Sequence, residues 1–307
     1  SIDFENVSFR YAKTAGRNAL DSIDLHIDSG MTVGILGLGL IGGSLARAYA
    51  LAGHTVYAGE QEEAMHSFAM LAGAVDAPLT IHNISECELI LLAIYPEGSA
   101  AWLENIASYI RKDALVIDCC GVKERVCNAC FPLAQAYGFT FLGGHPMAGR
   151  EFSGFANARG NLFENASMIL CPAPEVDIAV REQAKAFFLE SGFKMVRFCT
   201  PEAHDQMIAY TSQLAHIVSS AYVKCPLADK HRGFSAGSFA DMTRVAKLNE
   251  AMWTELFFDN REALLPVMED LVQRVTEYRN VLRDRDIDGM RQLLKEGREI
   301  KERLLGN

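Results

Sequence analysis

Short β-branched apolar runs alternate with helical periods through the first two thirds of the chain. Residues 32 to 37 (TVGILG) are an unbroken apolar run ending in glycine, as expected of a parallel strand buried on both faces. From Gly42 to Ala52 small and apolar residues dominate, and Gly53 closes the predicted helix. The pattern then predicts strands at 55 to 58, 89 to 95, 114 to 118, 139 to 142, 166 to 171 and 194 to 199. Helices are predicted between them over 61 to 72, 99 to 110, 122 to 137 and 177 to 191. Such alternation specifies an α/β fold built on a doubly wound parallel sheet.

Beyond Pro201 the strand signals stop, and helical patterns cover 202 to 224, 238 to 258, 260 to 283 and 286 to 305. This shift divides the chain into an appended segment (1–30), a dinucleotide-binding domain (31–200) and a helical domain (201–307). Pro266 is expected to kink or interrupt its helix. Leu264, Met268, Leu271, Val275, Tyr278 and Leu282 form an apolar stripe that suits either an internal bundle core or a face against a second copy.

Composition narrows the classes. With 307 residues, 50% hydrophobic and 22% charged, the chain is globular and long enough for two cores. A net charge of −10 argues against a general nucleic-acid binder, while local arginines still permit an anionic substrate. Eight cysteines lack the spacing of a disulfide framework, so a reduced, cytoplasmic setting is expected. Cys127 and Cys130 form one CxxC without a second pair, which reads as small apolar residues one helical turn apart. No apolar run has the length to cross a bilayer, and residues 1 to 6 carry acids where a secretory signal would be basic.

Gly37-Leu38-Gly39-Leu40-Ile41-Gly42 follows a strand and opens a helix, the setting of a dinucleotide-phosphate turn. The first glycine permits the turn, the second lets backbone approach a pyrophosphate, and the third lets helix pack on strand. Glu60, at the end of the next strand, suits the ribose hydroxyls and would repel a 2′-phosphate, which favours NAD over NADP. The alternative for Glu60 is a solvated strand-end acid. A rival pattern overlaps the turn: Gly37, Gly42, Gly43 and Ser44 nearly match a P-loop, with Gly43 where lysine is required. Residues 1 to 30 resemble the opening β-hairpin of ABC-transporter ATPase domains, with Tyr11 where that family stacks adenine. Nothing after Ser44 continues that resemblance, so the segment reads as an appended hairpin.

Gly144-His145-Pro146-Met147-Ala148-Gly149 sets an imidazole, the side chain suited to proton transfer near neutrality, in an expected turn fixed by proline and small residues. A base beside a redox cofactor suggests removal of a proton and a hydride from one carbinol.

From Met31 to about residue 260 the chain resembles the prephenate/arogenate dehydrogenase family of tyrosine biosynthesis. The resemblance is carried by GLGLIGGS (37–44), GGHPMAGREFSG (143–154), Asn157, Leu162-Phe163, His204-Asp205, Ser212 with His216, and FADMTR (239–244). It implies a Rossmann-type domain followed by an all-helical dimerisation domain. It also implies oxidation of prephenate or arogenate with NAD(P)⁺ and loss of CO₂. By resemblance, His145 accepts a hydrogen bond from the ring hydroxyl and acts as base, and Arg244 clamps a substrate carboxylate. His216 matches the histidine at the substrate side chain, which inclines the choice toward prephenate. Glu151 and Asp205 match acids that order the site, with a cap or turn role as the alternative; Trp253 fits an interface anchor or a core residue.

Two departures stand out. The family's serine that bonds the catalytic histidine is Gly121 here, and its Ser-His-Leu-Pro-His reads Ser212-Gln213-Leu214-Ala215-His216. Reduced turnover is expected, and a family member that binds NAD or an aromatic acid without turnover is the alternative from a different class. The expected assembly is a homodimer with a small-molecule substrate.

Overall fold

Alternation of buried positions along the central strands decides the layering of the first domain. The computed structural model describes residues 2–9, 20–27, 30–149, 152 and 154–306. Within it the chain divides into two units, Ser1–His204 and Asp205–Asn307. Strands β1 (Ile2–Phe9) and β2 (Leu20–Ile27) pair antiparallel in their own two-stranded sheet. Tyr11, singled out above, lies outside the described residues.

The main sheet begins with β3 (Thr32–Leu36), α1 (Leu40–Leu51), β4 (Thr55–Gly59), α2 (Glu63–Leu71) and the two-residue β5 (Ala77–Pro78). It continues through β6 (Leu89–Leu92), α3 (Pro96–Ile106), β7 (Leu115–Asp118), α4 (Glu124–Tyr137) and β8 (Thr140–Pro146). Strand β9 (Ser167–Pro172), α5 (Ile178–Glu190) and β10 (Met195–Phe198) complete it. The strand order is β10-β9-β8-β7-β6-β3-β4-β5, parallel throughout except for the antiparallel β8–β9 pair. Successive side chains point to opposite faces, so Val33, Ile35, Leu89 and Leu91 pack with α1 and α5, whereas Ile90, Leu92 and Val116 pack with α3 and α4. The chain winds to opposite sides of β3, and this reversal between β3 and β6 opens a crevice at the carboxyl ends of the strands.

Strand β8 is longer than its apolar pattern predicts. The pattern stops at residue 142, but the strand runs on to Pro146, so His145 stands on a strand opposite Ile169 and not in a turn. Two glycines make this possible. A Cβ on Gly143 would come 2.5 Å from the Cys127 sulfur, and one on Gly144 would collide with the Asp118 carbonyl oxygen. The chain turns only afterwards, where the Ala148 N–H donates to the Pro146 carbonyl at 2.8 Å.

The second unit is helical. It holds the latter part of α6 (Pro201–Ile208), a π-helical turn at Ala209–Gln213, α7 (Leu214–Val223) and α8 (Gly237–Thr243). Then come α9 (Glu250–Asp259), α10 (Arg261–Arg283) and α11 (Ile287–Leu305). The helix predicted over 238 to 258 is thus two helices, and Asn249 caps the second by accepting the Met252 N–H at 3.0 Å. Pro266 does not interrupt α10: it stands near the start, where it removes only the bond to the Glu262 carbonyl. The apolar stripe divides. Leu264 is buried with Met268 and Leu271 packed beside it, whereas Val275 and Leu282 are 59% and 68% exposed. No helix among the described residues is long and apolar enough to cross a membrane.

The close approach at β8 has a measurable consequence. Gly144→Ala forces strands β7 and β8 apart and should destabilise the first unit by roughly 2–3 kcal/mol, as overpacking does. Urea unfolding monitored by circular dichroism checks this, and an unchanged midpoint would contradict the packing.

Candidate active site

The glycine turn sits at the strand-order reversal. Gly37 has φ +90°, a conformation that excludes a side chain in practice, and its N–H donates to the Gly59 carbonyl at 2.8 Å. A Cβ on Gly42 would overlap the Gly37 carbonyl oxygen, so the third glycine is needed for α1 to leave the strand closely. Gly39 is the opposite case: it is exposed, and nothing lies within 4 Å of where its Cβ would be. No side chain caps α1, so the first-turn N–H groups at Leu40 and Ile41 remain available to an anion.

Glu60 is tied to this turn. Its Oε2 accepts the Leu38 N–H at 2.9 Å, and its Oε1 accepts the N–H groups of Gln61 (2.7 Å) and Glu62 (3.2 Å). A carboxylate has about four acceptor positions, so about one is left for a ribose hydroxyl. These residues fit an adenine dinucleotide: open backbone at Gly39, an uncapped helix start, and a fixed acid at the end of β4. The P-loop alternative fits poorly. Ser44 is fully buried, and its hydroxyl accepts the Arg159 N–H at 3.0 Å in place of facing a metal. Cys127 and Cys130 are both buried in the core against β8. Burial first, then the Asp118 charge, pushes the Cys130 thiol up to about 12. Among the described residues no cluster of His, Cys, Asp or Glu could hold a metal ion.

His145 stands at the same carboxyl edge, held from below. The β7–β8 ladder ends at the Ile117–Leu142 pair, and side chains take over from there. Asp118 Oδ1 accepts the Gly144 N–H at 3.0 Å, and the Lys123 ammonium donates to the Gly144 carbonyl at 2.5 Å. Lys123 also bonds and ion-pairs Asp118 Oδ2, with both side chains fully buried. Burial disfavours the lysine's charge, but Asp118 outweighs it and holds the pKa above the ordinary value. Both polar groups of the residue preceding His145 are therefore fixed by a buried ion pair. The next residue whose backbone nitrogen faces that side is Pro146, which has no N–H to leave unsatisfied.

The partly buried His145 ring meets a second imidazole, with its Nδ1 2.8 Å from Nε2 of His204, the last residue of the first unit. Desolvation, then His204, then Lys123 hold the His145 pKa well below 6.5. The ring is accordingly neutral, and able to accept a proton, across the neutral range and somewhat below it. Gly121 lies in the β7–α4 loop and offers no hydroxyl, and the partner that the ring has here, His204, was not anticipated. Glu151 and Ser153 of the same motif lie outside the described residues.

The second unit holds the remaining candidates. The His216 Nδ1–H donates to the Ser212 carbonyl at 2.8 Å, which leaves Nε2 as the ring's acceptor. Trp253 stacks on His216 at 4.1 Å between centroids. Arg244 follows α8 directly and is exposed, with its guanidinium open to an anion. Gln213, a catalytic candidate that departs from the family motif, is buried. It is 2% exposed, with Nε2 donating to the Leu256 carbonyl at 3.0 Å and Oε1 accepting from Asn260 at 2.7 Å. Asn260 in turn donates to the Asp205 carbonyl at 2.9 Å, so the pair ties α6, the π-turn and α9 together. Substituting the family histidine by glutamine has filled a core position.

Sequence reasoning missed the Asp118–Lys123 clamp and the contact of His204 with His145. The first had a signal: an acid and a lysine five residues apart, bracketing the end of an otherwise apolar strand. The second had none, because the two histidines are 59 residues apart.

Comparison with known proteins identifies the family. The family model described as prephenate dehydrogenase, nucleotide-binding domain, matches residues 45–197, and that described as its dimerization domain matches residues 200–296. A prephenate dehydrogenase of Lactococcus lactis is 30% identical over 87% of this chain and 76% of its own length. The crystal structure of Synechocystis arogenate dehydrogenase superposes with a TM-score of 0.77 at 25% identity, covering 89% of this chain and all (100%) of that one. The A. aeolicus prephenate dehydrogenase in complex with hydroxyphenyl propionate and NAD⁺ gives a TM-score of 0.76 at 24% identity, covering 91% and 98%.

The clamp under His145 predicts an asymmetric mutational response. Lys123→Met leaves the Asp118 carboxylate buried and unpaired and should cost ~3–5 kcal/mol of stability. Adding Asp118→Leu should recover part of that loss, since no charge then remains unpaired. Urea midpoints of the two variants decide it; a double variant weaker than the single one would refute the ion-pair account.

Proposed function

Because this chain belongs to the prephenate dehydrogenase family, we infer that it catalyses the NAD-dependent oxidative decarboxylation of prephenate to 4-hydroxyphenylpyruvate in tyrosine biosynthesis. The observation that carries the mechanism is a neutral imidazole, fixed on β8 at the carboxyl edge that also bears the glycine turn. Gly37, Gly39, Leu40, Ile41, Gly42 and Glu60 hold the dinucleotide: backbone N–H groups of α1 take the pyrophosphate and Glu60 the adenosine ribose. Bound NAD⁺ supplies the acceptor for the hydride.

The substrate's ring carbinol faces a quaternary carbon that bears a carboxylate. His145 takes the hydroxyl proton as the carbinol hydrogen leaves with its electron pair. The incipient ketone withdraws electrons through the diene, the bond to the ring carboxylate breaks, and CO₂ departs. Those electrons complete the aromatic ring and leave a phenolate oxygen, to which His145 returns its proton. A histidine with a depressed pKa suits both halves, being uncharged when the substrate arrives and an efficient acid once protonated. Arg244 pairs with a substrate carboxylate through its planar fork of donors, and His216, backed by Trp253, contacts the side chain. Ser212 acts through the carbonyl that orients His216, and Gln213 supports the same turn from within the core. The exposed apolar positions Val275 and Leu282 on α10 support assembly as a homodimer.

His145→Ala should abolish NADH formation with prephenate while NAD binding, read by calorimetry, persists. Arg244→Ala should raise KM roughly 30-fold or more, the loss of ~2 kcal/mol or above expected for one side of a charged pair. The acidic limb of kcat/KM should fall below pH 6.5, with activity lost only as pH drops through the depressed pKa of His145. An inflection at or above 6.5 would refute that assignment. Gly121→Ser should raise kcat, and initial rates with prephenate and arogenate against NAD⁺ and NADP⁺ fix the preferred pair.

A further inference from the structure

We propose that His204 is a positioning residue for His145, selecting the tautomer in which the far ring nitrogen of His145 is the proton acceptor. The proposal rests on His145 serving as the base. Its geometry is direct: His145 Nδ1 and His204 Nε2 are 2.8 Å apart, with ring centroids 5.0 Å apart and planes inclined at 61°.

Only one proton fits between two ring nitrogens at hydrogen-bond distance, and its location decides what His145 can do. With the proton on His204 Nε2, a neutral His145 would carry its own proton on Nε2 and have no lone pair there for a substrate hydroxyl. With the proton on His145 Nδ1, the lone pair at Nε2 is free to accept and His204 keeps its proton on Nδ1. When His145 then gains the substrate proton, the Nδ1–H···Nε2 bond becomes charge-assisted and shortens.

His204 is built to hold this position. Thr200 caps α6 through its hydroxyl, which accepts the Ala203 N–H at 3.2 Å, and Pro201 follows at the first helical position. The His204 N–H donates to the Thr200 carbonyl at 3.0 Å, and the residue is 1% exposed. This buried residue thus has its backbone held by the start of a helix. Lys123, whose charge acts on the His145 ring, is itself bonded to Asp118 and to the Gly144 carbonyl. The His145 ring bonds the His204 nitrogen, which thus takes the place that a carboxylate holds in a Ser-His-Asp triad. This also explains how the chain tolerates Gly121, where the family resemblance calls for a hydroxyl on the same ring.

The test uses the full chain and two readouts. Long-range ¹H–¹⁵N spectra of the ¹⁵N-labelled protein report the ring tautomers without substrate. His145 should be protonated at Nδ1 and bare at Nε2, and His204→Ala should turn this into a mixture of tautomers. In turnover, His204→Ala should lower kcat by at least ~10-fold, and at most by the ~10⁴-fold of a triad histidine left in the wrong tautomer. KM for prephenate should stay within about threefold. His204→Gln keeps an acceptor oxygen, should fold if alanine does not, and should recover part of kcat. Protonation of His145 at Nε2 in the unaltered chain overturns the proposal, as does a kcat within twofold of it for the alanine variant. Equal losses for alanine and glutamine also overturn it. If the unaltered chain turned over neither prephenate nor arogenate, the base role of His145 would fail instead; the substrate-free spectra would still decide the tautomer.

Discussion

The buried bond between Asp118 and Lys123 is the constraint on which the active edge depends. A parallel sheet ends where its strands stop pairing, and β7 stops at Asp118 while β8 continues for four more residues beyond Leu142. Left alone, the Gly144 N–H and C=O would be buried donors and acceptors without partners, at a cost of ~1–3 kcal/mol each. Two side chains replace the missing strand: a carboxylate for the N–H and an ammonium for the carbonyl. Each ion also neutralises the other, so the substitution leaves no net charge in the core. The ladder is thereby extended by one residue without extending β7. A buried ion pair is weak evidence for stability by itself. Its value here is that it holds the backbone immediately before the reactive imidazole.

That arrangement also sets the acidity of the ring. Desolvation favours neutral imidazole, and the positive end of the clamp, Lys123, acts in the same direction. A triad carboxylate would push the other way and stabilise the imidazolium. In this chain the second imidazole orients the base without raising its pKa, which suits a reaction in which the proton is lent and returned. Taking the proton must not be so favourable that the phenolate cannot recover it. Charge near the base therefore serves the return step as much as the removal.

Much of this was legible in the residues, for identifiable reasons. Buried parallel strands read as continuous apolar runs, so β3, β6 and β7 stood out, and the glycines at 37, 39 and 42 carried their own steric logic. The extension of β8 was hidden because Gly-Gly-His-Pro has turn composition. It is a strand because β7 and α4 press too closely for any side chain at 143 or 144. The break between α8 and α9 was hidden because helical periodicity continues across it while Asn249 starts a new helix. At the site, motif residues pointed to His145 and Arg244, but not to what holds them. Gln213 shows the limit well: the motif marked it as a candidate but could not show that its amide is bonded to Leu256 and Asn260. Position within a motif records descent, and hydrogen bonds record present use.

The two departures from the family pattern are thus unequal. Gln213 replaces one polar side chain by another that satisfies its burial completely, so its effect falls on the packing of the second unit. Gly121 removes a donor and gives nothing in return, and its effect falls on His145 directly. Any loss of precision at that ring must be carried by the contacts that remain, which are the backbone clamp at Gly144 and the nitrogen of His204. The first fixes where the ring begins and the second bears on how it is turned; a hydroxyl at 121 would add a further restraint to these, so orientation of the base is shared among a strand, a buried ion pair and a helix start.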